Sequence, residues 1–198
     1  MSTIVVVRKD GVAAIGADTQ TMYGSMVQTA TYIKNHSKML TVGESRIAYT
    51  GSAALGHILS AYFRRLKHPP ALDSPDAIFD VACELHKAMK DDYFLRPEED
   101  EDDDFESSRM ELLIANPSGI FTLSTNRSVE EMTRFLAVGH GDSYAMGAMY
   151  TLYDTDATAE QIARAGLEAA AEFDDSTGRP LEVHTIALKD SSDRPPAD

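Results

Sequence analysis

An α+β fold built on antiparallel sheets is what the sequence predicts, on three observations. Strand-like and helix-like stretches come in blocks rather than alternating one by one. Two pairs of apolar stretches are joined by tight-turn signals, Asp10-Gly11 and Asn116-Pro117-Ser118-Gly119. Helical stretches follow each block of strands, one of them opening on the capping sequence Ser74-Pro75-Asp76.

The elements follow in order. Thr3 to Val7 is β-branched and apolar, and Val12 to Ala17 returns from the Asp-Gly turn, so the chain opens with a hairpin. Tyr32 to Leu40 and Ser45 to Thr50 read as further short strands or turns. A small-residue helix is expected from Ser52 to about Leu66, where His68-Pro69-Pro70 breaks it. A second helix should run from Pro75 through Ile78, Ala82 and Leu85 to about Tyr93, with Ser74 as its cap. Met110 to Ala115 and Ile120 to Ser124 form the next hairpin, and Phe135 to Val138 another short strand. Helices follow at Ser143 to Tyr153 and from Thr158 to about Glu172, and Leu181 to Leu188 is a last strand. The tail Ser191 to Asp198 is polar and proline-bearing, and reads as disordered, which leaves residues 1–190 as one domain.

Composition sets limits on function. The chain has 198 residues and a formal net charge of −14. That charge argues against nucleic acid, whose phosphates need basic stripes. No apolar run approaches the roughly 20 residues that span a bilayer, and no secretory signal is visible. A single cysteine, Cys83, rules out an intrachain disulfide and reads as a core residue of the second helix. The expectation is a soluble, cytoplasmic protein without membrane or nucleic-acid partners. The unbroken acidic run Glu98 to Asp104 reads as a solvated loop.

The chemistry is sought at the N-terminus. Removal of Met1 would leave Ser2 with a free α-amine beside its own hydroxyl. An α-amine has a pKa of about 7.7–8.0, so part of it is neutral at cellular pH and can serve as general base for that hydroxyl. Asp18 lies 16 positions after Ser2, at the end of the hairpin's return strand, and Lys34 lies 16 positions after Asp18. A lysine paired with such an aspartate would lower the amine's pKa through its charge.

The stretch Ser2-Thr3-Ile4-Val5-Val6-Val7-Arg8-Lys9-Asp10-Gly11, followed by Gly16-Ala17-Asp18, resembles the opening of HslV peptidases and proteasome β-subunits. It is nearest to the betaproteobacterial proteasome homologues. The resemblance implies a four-layer αββα sandwich and a peptidase with Ser2, Asp18 and Lys34 as its catalytic group. It makes the N–H of Gly51, in Tyr49-Thr50-Gly51-Ser52-Ala53, the oxyanion donor. Thr21, Met22 and Gly24 match the segment that pairs with substrate backbone, and Tyr49 and Ala53 lie on the expected substrate pocket. His140, in Val138-Gly139-His140-Gly141, and Asp174 and Thr177, in Asp174-Asp175-Ser176-Thr177-Gly178, match segments that support the nucleophile. The resemblance further implies stacked rings of six or seven subunits, unfolded polypeptide as substrate, an ATP-dependent unfoldase as partner, and no cofactor or metal.

The chain departs from that pattern in three places. Serine stands where most of the family has threonine, so the hydroxyl lacks the methyl that restricts its rotamers. His140 replaces a supporting serine and reads as a turn residue, a proton relay or a metal ligand. Tyr49 is large for a pocket wall. Thr3 is a rival nucleophile, but it would break the register. Two other functions remain open to the sequence: an amidase acting on small amides, and a ring-forming scaffold with a decayed site.

Overall fold

The structure is a computed structural model and describes residues 2–96 and 104–189. Asp104 alone of the acidic run, and none of the tail 191–198, lies within the described residues.

Strands β1 (Thr3–Lys9) and β2 (Val12–Asp18) form the opening hairpin. They lie at the centre of a four-stranded antiparallel sheet, with β10 (Phe135–Gly139) beside β1 and β11 (Leu181–Ala187) beside β2. A second antiparallel sheet of five strands takes β5 (Met39–Val42), β6 (Ser45–Gly51), β7 (Met110–Asn116), β8 (Gly119–Leu123) and β9 (Val129–Met132) in sequence order. Between these two blocks of chain, β3 (Thr21–Tyr23) and β4 (Met26–Gln28) form a hairpin of their own.

The two sheets pack face to face, and side-chain alternation explains how. Ile4, Val6, Ala13 and Ile15 point into the space between the sheets, where they meet Leu113, Ala115 and Ile120. Val5, Val7 and Ala14 point the other way, onto α3 (Asp142–Tyr153) and α4 (Ala159–Phe173). Strand β1 is thus covered on both faces, which is why its sequence is a continuous apolar run rather than an alternating one. On the far side, α1 (Leu55–Arg65) and α2 (Pro75–Asp91) cover Ile47, Leu112, Ile114 and Phe121 of the second sheet. The result is the four-layer αββα sandwich.

The helix starts follow capping chemistry. Ser74 accepts a hydrogen bond from the Ala77 N–H at the start of α2. Thr158 and Gln161 form a reciprocal capping box on α4.

The segment Tyr32–Leu40, read as strands or turns, has turns before Met39 and strand at Met39 and Leu40. Three expectations need correction. Strand β9, with the short sequence Val129-Glu130-Glu131-Met132, was not anticipated. Helix α1 begins at Leu55 rather than Ser52. Cys83 is exposed, because the buried stripe of α2 is Ile78, Ala82, Leu85 and Met89, which turns position 83 to solvent. Among the described residues no helix is long and apolar enough to cross a membrane.

Candidate active site

The hairpin geometry places the end of β2 beside the start of β1. Asp18, fully buried, accepts the Thr3 N–H at 3.1 Å through Oδ1. Its Oδ2 accepts the N–H groups of Gln20 at 3.0 Å and Gly178 at 3.2 Å. A lysine completes the set: Lys38 Nζ donates to Asp18 Oδ1 at 2.7 Å and to the Gln20 carbonyl. Burial pushes the Lys38 ammonium below the usual lysine range, and the contact with Asp18 opposes that shift. Burial raises the Asp18 carboxyl, against Lys38 and the backbone donors.

This overturns one expected assignment. Lys34 is exposed, and the cation on Asp18 is Lys38. The reach from Asp18 is 20 positions rather than 16. The interval passes through the β3–β4 hairpin and the turns of residues 29–37, and connecting segments of this kind vary in length. One sequence signal did mark Lys38: it directly precedes the apolar stretch Met39-Leu40, whose strand β5 pairs with β6 on the way to Gly51.

A second network stands behind the first residues. The Gly141 N–H donates to Thr3 Oγ1 at 3.0 Å, and Thr3 Oγ1 lies 2.6 Å from Thr177 Oγ1. Thr177 in turn donates to Asp174 Oδ2, so the Thr3 hydroxyl must donate to Thr177. Asp174 Oδ1 meets His140 Nδ1, and the backbone N–H of His140 donates to the Ser2 carbonyl at 2.9 Å. Burial disfavours the Asp174 carboxylate, but its hydrogen bonds from Thr177 and His140 prevail and hold it below the usual range. Hydrogen bonding to Asp174 and its charge raise His140 above the ordinary histidine value. Thr3 is therefore fully buried and committed to this network.

Ser2, only 6 % exposed, opens on a cleft of about 320 Å³. Thr21, Met22, Tyr49, Gly51 and Ala53 line the same cleft, as does Lys38. Gly24 does not line it, and instead makes the β3–β4 turn with φ +61°. Gly51 ends β6 with φ +149°, a conformation side chains rarely adopt. A Cβ there would lie 2.9 Å from the Arg109 carbonyl oxygen, so the backbone needs glycine at this position. His140, Asp174 and Asp175 are the group of three potential metal-ligating side chains found among the described residues.

A sandwich of this kind, with an N-terminal strand entering a cleft beside a buried carboxylate–lysine pair, is a proteasome-type peptidase scaffold. No protein-family model matches the chain. Solved structures do. One of Thiobacillus denitrificans BPH in complex with epoxomicin has a TM-score of 0.90 and 46 % identity, over 94 % of this chain and 99 % of that one. Another of Thiobacillus denitrificans BPH has a TM-score of 0.91 and 46 % identity, over 95 % and 99 %. Eukaryotic HslV from Trypanosoma brucei has a TM-score of 0.65 at 21 % identity, over 93 % and 99 %, a likeness of fold. The chain belongs to the betaproteobacterial proteasome homologues.

Proposed function

We propose that this protein is an N-terminal-nucleophile peptidase in which Ser2, freed by removal of Met1, attacks the peptide carbonyl. The observation that carries the reading is the convergence of Ser2, the Asp18–Lys38 pair and Gly51 on one cleft. The neutral α-amine of Ser2 takes the proton from its own Oγ as Oγ bonds to the carbonyl carbon. The Gly51 N–H faces the oxygen that becomes negative. The amine then passes the proton to the leaving nitrogen, the C–N bond breaks, and water hydrolyses the ester on Ser2. Lys38, held by Asp18, supplies the charge that favours the neutral amine. Asp174, Thr177 and His140 brace the segment on which Ser2 sits.

The substrate is unfolded polypeptide, laid along Thr21 and Met22 as an added strand. As in self-compartmentalising peptidases, the protomers form a stacked double ring in the cytoplasm, with an ATP-dependent unfoldase as feeding partner. The chemistry needs no metal or cofactor.

The test joins two measurements. Mass spectrometry of the purified protein is expected to show an N-terminus starting at Ser2. Epoxomicin, found with the Thiobacillus denitrificans protein, is expected to label wild type and leave Ser2→Ala unlabelled. Retained Met1, or equal labelling of the variant, would overturn the assignment.

A further inference from the structure

The wall of the cleft between Ile33 and Lys38 has no regular secondary structure, yet two of its polar side chains converge on one carboxylate. Glu182 lies on β11 opposite Ala17, one position from the residue paired with Asp18. Its Oε2 accepts the Ser37 hydroxyl at 2.6 Å. Its Oε1 lies 3.5 Å from His36 Nε2, while His36 Nδ1 is 2.9 Å from the Ile33 carbonyl oxygen. Both ring nitrogens of His36 thus face acceptors. Ser37 also accepts the Met39 N–H on its hydroxyl and the Tyr49 hydroxyl on its carbonyl, at 3.3 and 3.2 Å. The chain then passes directly into Lys38, whose carbonyl is held by the Tyr49 N–H.

Tyr49 is pinned from the other side too. A Cβ on Gly56, in the first turn of α1, would fall 2.1 Å from the Tyr49 hydroxyl oxygen, so the ring fills the space that glycine leaves. Burial raises the Tyr49 phenol, and the charge of Glu182 raises it further.

We propose that Glu182 is a positioning residue for the peptidase site: by holding Ser37 and His36 it seats Lys38 on Asp18 and fixes Tyr49 as the closed end of the subsite beside Ser2. The proposal rests on the peptidase reading. Glu182 touches neither substrate nor the reacting atoms and acts through the segment it anchors. It sets two things together, the placement of the lysine charge and the width of the pocket. A subsite closed by an anchored tyrosine takes small side chains before the cleaved bond, and releasing the anchor admits larger ones.

The experiment compares Glu182→Ala, Ser37→Ala and the double variant, using peptides that carry alanine or phenylalanine before the cleaved bond. Each single change is expected to lower kcat/KM on the alanine peptide roughly tenfold, the scale of a lost charge-assisted hydrogen bond. The double variant should lose no more than Glu182→Ala alone, because both changes cut one contact. The phenylalanine peptide should gain relative to alanine, and the acidic limb of the rate profile should move to higher pH as Lys38 loosens. Ser37→Ala, on an irregular segment, keeps the test alive if Glu182→Ala fails to fold. Additive losses with an unchanged peptide preference would overturn the proposal. A readout independent of turnover is the ultraviolet titration of Tyr49, identified by difference from Tyr49→Phe. Its midpoint is expected to fall in Ser37→Ala, which keeps the Glu182 charge but frees the segment that holds the buried tyrosine, and no shift would overturn the proposal. If wild type cleaves nothing while that midpoint still falls, the peptidase reading fails and the anchor stands.

Discussion

Asp18 and Lys38 exchange charge and hydrogen bonds in a place almost free of water, so each is tolerable only with the other. Lys38→Ala would leave a buried carboxylate with backbone donors alone. It is expected to destabilise the fold by about 3–5 kcal/mol and to lower activity by roughly 10² or more, the scale of general acid–base effects. Pairing it with Asp18→Asn should restore much of the stability and none of the activity. Lys34→Ala, on an exposed side chain, is expected to match wild type in both. Chemical denaturation and peptide turnover on the four proteins check this. A Lys34 variant that loses activity while Lys38→Ala keeps it would return the role to the residue first expected from spacing. His140 and Asp174 make a second residue-scale case, governed by pH. The raised His140 contributes stability that is fully present below its ordinary value of 6.5 and is lost as pH rises through its higher folded value. The depressed Asp174 contributes stability present above 3.8 and lost as pH falls through its lower folded value. The Tm difference between wild type and His140→Ala is therefore expected to be widest between those two ordinary values and to narrow on both sides. A difference independent of pH would show that the pair is not an ion pair.

At the scale of elements, the parts that local chemistry specifies were readable from the sequence. Asp10-Gly11 and Asn116-Pro117-Ser118-Gly119 announced their hairpins, and Ser74 and Thr158 their helices, because turns and caps depend on residues close in sequence. The rest depended on distant contacts. Strand β9 has four residues and two glutamates, too few to display an alternation, and it exists because β8 offers an edge. Cys83 was read onto the apolar face of Ile78, Ala82 and Leu85, but the phase of the helix turns it to solvent. Lys38 escaped because a spacing rule counts residues, whereas the fold counts distance, and the turns of 29–37 take up the surplus chain. Glu182 was invisible for a related reason: nothing near it in sequence marks it, and only the pairing of β11 with β2 brings it to the cleft wall. Ser2 and Asp18 were readable from the hairpin itself, because each sits at or beside a strand end fixed by pairing, whereas Gly51 and Tyr49 entered through the family resemblance.

At the scale of the whole molecule, the formal net charge of −14 is the dominant long-range property, and the seven carboxylates of Glu98–Asp104 carry half of it. A ring of such protomers would superpose their fields, and clefts focus them further. Basic unfolded chains should therefore reach the sites faster than acidic ones of equal length and matched cleavage sequence. The difference must shrink with salt, since the screening length falls from about 30 Å at 0.01 M to about 8 Å at 0.15 M ionic strength. Local contacts at Ser2 do not share that dependence, because Ser2 and the Asp18–Lys38 pair are buried and are screened much less. The comparison is of kcat/KM for a basic and an acidic unfolded substrate at both salt levels, in wild type and in a variant with residues 98–104 replaced by serine and glycine. Wild type is expected to favour the basic substrate most strongly at low salt. The variant is expected to lose about half of that preference on a logarithmic scale, in proportion to the charge removed. Short peptides without net charge should be cleaved equally by both proteins, which separates steering from damage to the site. Equal treatment of basic and acidic substrates at low salt would mean that the charge serves solubility and not the capture of substrate.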